Sequence, residues 1–177
     1  MKKIIFLFVS SFLFISCGSS TYYTSNKPIA YYDSFTNSQI TEFPSTNLNY
    51  GFRSSFKMIN TANTFKNAYA YFSYEGSDWL FINNIWMKIS GDTDYMILQG
   101  KFNREVINGG KVSEQLTLKV DNELINFMKR SRGKTVIVRL NGDTKYREIR
   151  FPVGLPGEGG QWDMFLTKYI ELGYGDD

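Results

Sequence analysis

From residue 50 to residue 153 the chain is a run of short segments rich in aromatic and β-branched side chains, separated by clusters of Gly, Asn, Asp and Ser. Such residues suit a pleated, half-buried surface on which successive side chains point to opposite faces, so the pattern favours sheet over helix. The candidate strands are residues 50–59, 68–75, 79–90, 95–103, 112–120, 135–140 and 145–153. Asn141-Gly142-Asp143 stands between Val136/Val138/Leu140 and Ile149/Phe151/Val153, which predicts a β-hairpin whose turn uses the positive φ that Asn-Gly tolerates. Asn83-Asn84 interrupts the segment 79–90 before Ile85, Met87 and Ile89 resume alternation, the pattern of a bulge.

Two segments carry helical spacing instead. Asp121 is placed to cap a helix over about 121–132 in which Leu124, Phe127 and Met128 share a face, with Lys129 and Arg130 near its C-terminus and Gly133 as the stop. Over about 161–172, Trp162, Phe165, Leu166, Tyr169 and Ile170 form one apolar stripe, and Gly173 follows. The expected fold is therefore mainly β, with α+β as the alternative: an antiparallel sandwich or strongly curved sheet of about six to eight strands, capped at one end by the C-terminal helix. Residues 50–177 are expected to form one globular domain.

Composition narrows the chemistry. Histidine is absent, which removes the Ser-His-Asp and Cys-His arrangements, the HExxH zinc motif and the usual base near neutral pH. Cysteine occurs once, at Cys17, so intramolecular disulfides and multi-cysteine metal sites are excluded, and no metal or cofactor is expected. The formal charge of +3 includes Lys2 and Lys3; without them the 20 basic residues fall to 18 against 17 acids. So balanced a chain offers little attraction to nucleic acid, which is not expected as a partner.

Residues 1–16 are laid out as an export signal: Lys2 and Lys3, then an apolar run from Ile4 to Ile15 broken by Ser10 and Ser11, then small residues. That run is short of the roughly 20 residues a membrane-spanning helix needs. Phe14-Ile15-Ser16-Cys17 resembles the lipobox of bacterial lipoprotein signal peptides, with Phe14 in place of the preferred leucine. The resemblance implies cleavage after Ser16, a diacylglyceryl thioether on Cys17 and a fatty acyl group, such as palmitate, on the new amino terminus. It implies further a lipid-anchored protein of the bacterial envelope, facing the periplasm because no acidic cluster follows Cys17, and in the outer membrane of a Gram-negative cell. An ordinary secretory signal cut after Gly18 or Ser20 is the alternative.

Residues 17–49 are dominated by Ser, Thr, Asn, Tyr and Pro without sustained periodicity, and read as the lipidated cysteine plus a flexible tether with one edge strand at most. Beyond it, few residues point to chemistry. The glycine-rich segment 154–160 lacks the Gly-Lys-Ser/Thr ending of a phosphate loop, and Asn108-Gly109-Gly110 reads as a turn. Glu75 and Asp78, then Asp92 and Asp94, occupy predicted turns where such residues bond their own backbone. Arg104 with Glu105 and Glu114 reads as a surface ion pair. Trp79 is a binding candidate if exposed. Trp86, on the face opposite Ile85, Met87 and Ile89, is expected to join Tyr69 and Tyr71 in an aromatic binding surface if the sheet is open on one side.

The leading expectation is a non-enzymatic envelope lipoprotein that binds a protein or cell-wall component through its sheet surface. Two alternatives stay open. A carboxylate-based glycan-acting enzyme would need a close acid pair in one deep cleft. A binder of a small apolar or lipid ligand would need a hollow lined by Phe and Tyr between sheet and helix.

Overall fold

The computed structural model describes residues 27–61, 66–154 and 160–174; the leader, Cys17 and most of the glycine-rich segment 154–160 lie outside them. In chain order the first strands are β1 (Ile29–Asp33), β2 (Ser38–Asn49), β3 (Phe52–Thr61), β4 (Lys66–Gly76), β5 (Ile82–Ile89) and β6 (Met96–Gln99). They are followed by β7 (Phe102–Ile107), β8 (Lys111–Lys119), helix α1 (Asn122–Ser131), β9 (Thr135–Gly142), β10 (Tyr146–Pro152) and helix α2 (Gln161–Glu171). All pairing is antiparallel. A six-stranded sheet has the order β1-β2-β3-β4-β8-β7, and a four-stranded sheet the order β10-β9-β5-β6.

The mainly β class with two short helices is as the sequence reads, but the described residues form ten strands rather than six to eight. Part of the surplus comes from residues 17–49. β1 and β2 are both ordered strands there, and Phe43 on β2 is buried against the Phe165 ring at 5.5 Å. The stretch expected to be a tether is therefore sheet from Ile29 onward. The remainder comes from 95–103, which is two strands in two different sheets. Gly100 lies at the break, where a β-carbon would stand 2.9 Å from the Leu116 side chain. Residues 79–81 of the candidate 79–90 precede β5 and belong to no strand.

One core joins both sheets and both helices. Phe52, Phe56 and Met58 of β3, Phe72 of β4, Ile85 and Met87 of β5, Val136, Val138 and Leu140 of β9, and Phe151 of β10 all enter it. Each of these strands sends alternate residues inward, as the period of two requires. Helix α1 begins where Asp121 accepts the Leu124 N–H at 2.8 Å, and Gly133 follows its end at φ +70°. On α2, Trp162, Phe165, Leu166 and Tyr169 are buried as the stripe predicts, while Ile170 at its end is exposed. Phe165 stacks on Phe56 at 4.3 Å. The Trp162 indole N–H donates to Ser54 Oγ at 3.1 Å, and Ser54 donates to Gln161 Oε1 at 3.1 Å, so the buried polar atoms of this interface satisfy one another. Arg132, just beyond α1, meets Asp163 of α2 at 2.8 Å.

The β9–β10 hairpin forms, with Asn141 opposite Tyr146 and the Gly142 N–H donating to Lys145 O at 3.0 Å. The reason for its glycine differs from the sequence reading. Gly142 does not adopt positive φ; instead a β-carbon there would overlap the Leu80 carbonyl. Gly142→Ala is expected to cost about 1–3 kcal/mol by overpacking, measured as a shift in the urea midpoint at unchanged m-value. Asn83 is the extra residue of a bulge where β5 meets β9, as the sequence suggests.

Candidate functional site

The outer face of the four-stranded sheet carries a set of convergent aromatic and basic groups. Because Ile85 and Met87 point to the core, Trp86 and Lys88 must point away from it. Likewise Val138 and Leu140 turn Arg139 outward, and Ile149 and Phe151 turn Glu148 and Arg150 outward. Register then aligns them: Ile97 of β6 stands opposite Trp86, Trp86 opposite Arg139, and Arg139 opposite Glu148.

The Trp86 ring stacks on Tyr95 with centroids 4.7 Å apart and planes 13° from parallel. Tyr95 and Ile97 are exposed beside it. The Arg139 guanidinium lies 4.7 Å over the Tyr146 ring and bonds Glu148 at 3.2 Å, while Arg150 takes the other oxygen of Glu148 at 3.2 Å. Hydrogen bonds from Arg150 and then Arg139 hold the Glu148 carboxyl below its usual range, so it is ionised at neutral pH and poorly suited to donate a proton. With Lys88, the face has three cations to one anion. It can offer a flat aromatic platform flanked by fixed hydrogen-bond donors, a combination that suits stacking and polar recognition on an extended partner.

The expected grouping of Tyr69, Tyr71 and Trp86 does not occur. Tyr69 and Tyr71 alternate with the buried Ala68, Ala70 and Phe72 of β4, so they lie on the outer face of the six-stranded sheet. Trp86 lies on the outer face of the other sheet, with the core between. Parity within each strand is readable from sequence, but assignment of strands to sheets is not, because β4 pairs with β3 and β8 while β5 pairs with β6 and β9. On the six-stranded face, Lys57 meets Glu42 at 3.0 Å, Arg53 meets Glu75 at 3.2 Å, and Tyr31 donates to Glu42 at 2.9 Å. Burial raises the Tyr71 hydroxyl, so it stays protonated.

Sequence reasoning missed Tyr95, Arg139 and Tyr146. The same parity rule that finds Trp86 would have found Arg139 between Val138 and Leu140; Tyr95 required knowledge of the β5–β6 pairing. The reading of Arg104, Glu105 and Glu114 as a surface ion pair also needs correction. Glu114 is fully buried. Its Oε1 accepts the Leu80 and Phe81 N–H groups at 2.7 and 3.0 Å, and its Oε2 accepts the Ile82 N–H at 2.7 Å and Arg104 Nε at 3.1 Å. Arg104 also donates to Ile82 O at 2.8 Å. All this holds the crossing from the six-stranded to the four-stranded sheet, where Phe81 sits at φ +53° with its ring 5.9 Å from Trp79. A carboxylate this saturated is a structural clamp.

Of the acids expected in turns, Asp78 accepts the Ser77 hydroxyl and Asp94 the Thr93 hydroxyl, each at 3.4 Å and from a side chain rather than the backbone, while Glu75 lies in β4 and pairs with Arg53. Among the described residues no three His, Cys, Asp or Glu side chains gather as a metal site. Where an apolar ligand would lie between sheet and α2, the rings of Phe43, Phe56, Trp162 and Phe165 fill the space. An open groove of about 710 Å³ runs between Pro28, Gln39 and Thr41 on one side and Met164, Thr167 and Glu171 on the other.

No family model matches the chain, and neither curated proteins nor solved structures give a significant match.

Proposed function

We propose that the chain is a bacterial envelope lipoprotein, anchored by lipid on Cys17 and facing the periplasm, whose folded domain is a non-enzymatic binding module for an envelope protein or cell-wall component. The observation that carries the binding half is the Trp86–Tyr95 stack beside Arg139 and Tyr146 on an open sheet face. A half-buried tryptophan held rigidly by a neighbour loses little side-chain freedom on binding, and tryptophan, tyrosine and arginine are the residues that most often dominate interface energies. The anchoring half rests on the lipobox resemblance at residues 14–17. No helix among the described residues is long and apolar enough to cross a membrane.

The test is retention of the protein on purified cell-wall sacculi and on detergent-solubilised envelope proteins, wild type against Trp86→Ala. Loss of a Trp hot spot of about 2 kcal/mol corresponds to roughly 30-fold weaker retention. Near-UV circular dichroism checks that the core is intact. Equal retention of both proteins, or turnover of glycan substrates abolished by a single carboxylate change, would overturn the reading.

A further inference from the structure

Exposed apolar side chains are concentrated in the first hairpin. Ile29, Tyr31, Tyr32 and Phe35 all lie within the nine residues from Ile29 to Asn37, and Phe35 at the tip is fully exposed. The tip is nevertheless built. Asp33 accepts the Phe35 N–H at 2.9 Å and the Thr36 hydroxyl at 2.8 Å, and the Tyr32 hydroxyl bonds Asn37. Asp33, the one charged side chain in that stretch, is thus turned onto its own backbone, and these bonds keep it ionised. A turn ordered by three side chains in order to hold a phenylalanine in solvent gains nothing for the core.

Position in the chain says what can cover it. Cys17 and Lys27 are ten residues apart, which even fully extended reach about 33–36 Å. The described fold therefore begins within that distance of any lipid on Cys17, and β1 is its first element. We infer that the β1–β2 hairpin is a second membrane contact: the Phe35 tip, with Tyr31 and Tyr32 behind it, enters the headgroup and upper acyl region of the anchoring leaflet. Aromatic rings with a polar edge concentrate at that depth, where one end is wet and the other apolar. A domain held at two points cannot rotate freely about its tether, so the contact fixes which faces look away from the bilayer. This inference rests on the lipid-anchor reading.

The test uses the full-length, membrane-extracted protein reconstituted in phosphatidylcholine vesicles, wild type against Phe35→Trp. Subtracting the wild-type emission isolates the new indole. Blue-shifted difference emission, at least halved by lipids brominated in the upper acyl chain, is the expected result. Emission in the red that is quenched by aqueous iodide and not by brominated lipid overturns the contact, as does emission shielded from both in a protein that crosslinks as a dimer. Failure of the anchor is read separately, from the mass of the Cys17 peptide. If that peptide carries no lipid, unanchored wild type and Phe35→Ser are sedimented with the same vesicles. Tenfold greater retention of wild type then keeps the hairpin contact, and equal retention ends it.

Discussion

Glu114→Ala is expected to remove about 3–5 kcal/mol of stability, a large share of the 5–15 kcal/mol typical of a domain. The substitution takes away both acceptors at once and leaves the Leu80, Phe81 and Ile82 N–H groups without the partner they have in the folded protein. Each stranded buried donor costs on the order of 1–3 kcal/mol, partly recovered if water enters. Phe81 adds to the loss, since its φ of +53° is an uncommon state for an aromatic residue and the N–H bonds to Glu114 help hold it. Glu114→Gln should recover little. Either orientation of the amide sets an NH2 group against two donors, because each carboxylate oxygen already accepts two bonds. Arg104→Ala leaves the three backbone bonds in place and is expected to cost less, about 1–2 kcal/mol. Urea denaturation measures all three; a loss below 1 kcal/mol for Glu114→Ala would show the clamp to be dispensable.

Cys17→Ser is expected to move the protein out of the membrane fraction or stall leader removal. The thioether needs a thiol, and the chain has no second one. One acyl chain alone binds a bilayer only marginally, whereas two or three, at on the order of 0.8 kcal/mol per buried CH2, make attachment essentially permanent. On the proposed anchor, loss of the thiol would therefore abolish lipid attachment rather than weaken it. Fractionation with carbonate washing, and the mass of the amino-terminal peptide, provide the readout. Unaltered membrane association and cleavage would refute the anchor.

Where local signals act alone, the fold was legible. Asp121 and Gly133 bound α1, the Trp162–Tyr169 stripe is α2, and Asn83 is a bulge, because capping, helical period and interrupted alternation are all short-range effects. β2 was not legible, and its own register explains why. The pairing with β3 slips between Phe43 and Thr46, across Pro44 and Ser45, and again between Asn47 and Asn49. Proline cannot donate to a ladder, and each slip resets the alternation by which a strand is recognised. The split of 95–103 was hidden for a different reason: nothing local says that Met96 and Phe102 belong to different sheets. The same limit governed the site. Trp86 was placed on the correct side of its strand, but its companions proved to be Tyr95 and Arg139, brought near by pairings that the linear chain does not announce.

The strand pairings also differ in when they can form. β2, β3 and β4 are successive hairpins, so their pairing is available as soon as each strand follows the last. β5 can pair with β6 at once, but its other edge must wait for β9, as β4 must wait for β8: Ile85 pairs with Leu140, 55 residues further on. Closing that distance is entropically costly and slow relative to hairpin formation. The aromatic face built on β5, β6, β9 and β10 is therefore among the last parts of the molecule to come into being. A chain interrupted before β9 would leave the apolar side of β5 without its partner, and so presents a fragment for degradation before it presents a surface for binding.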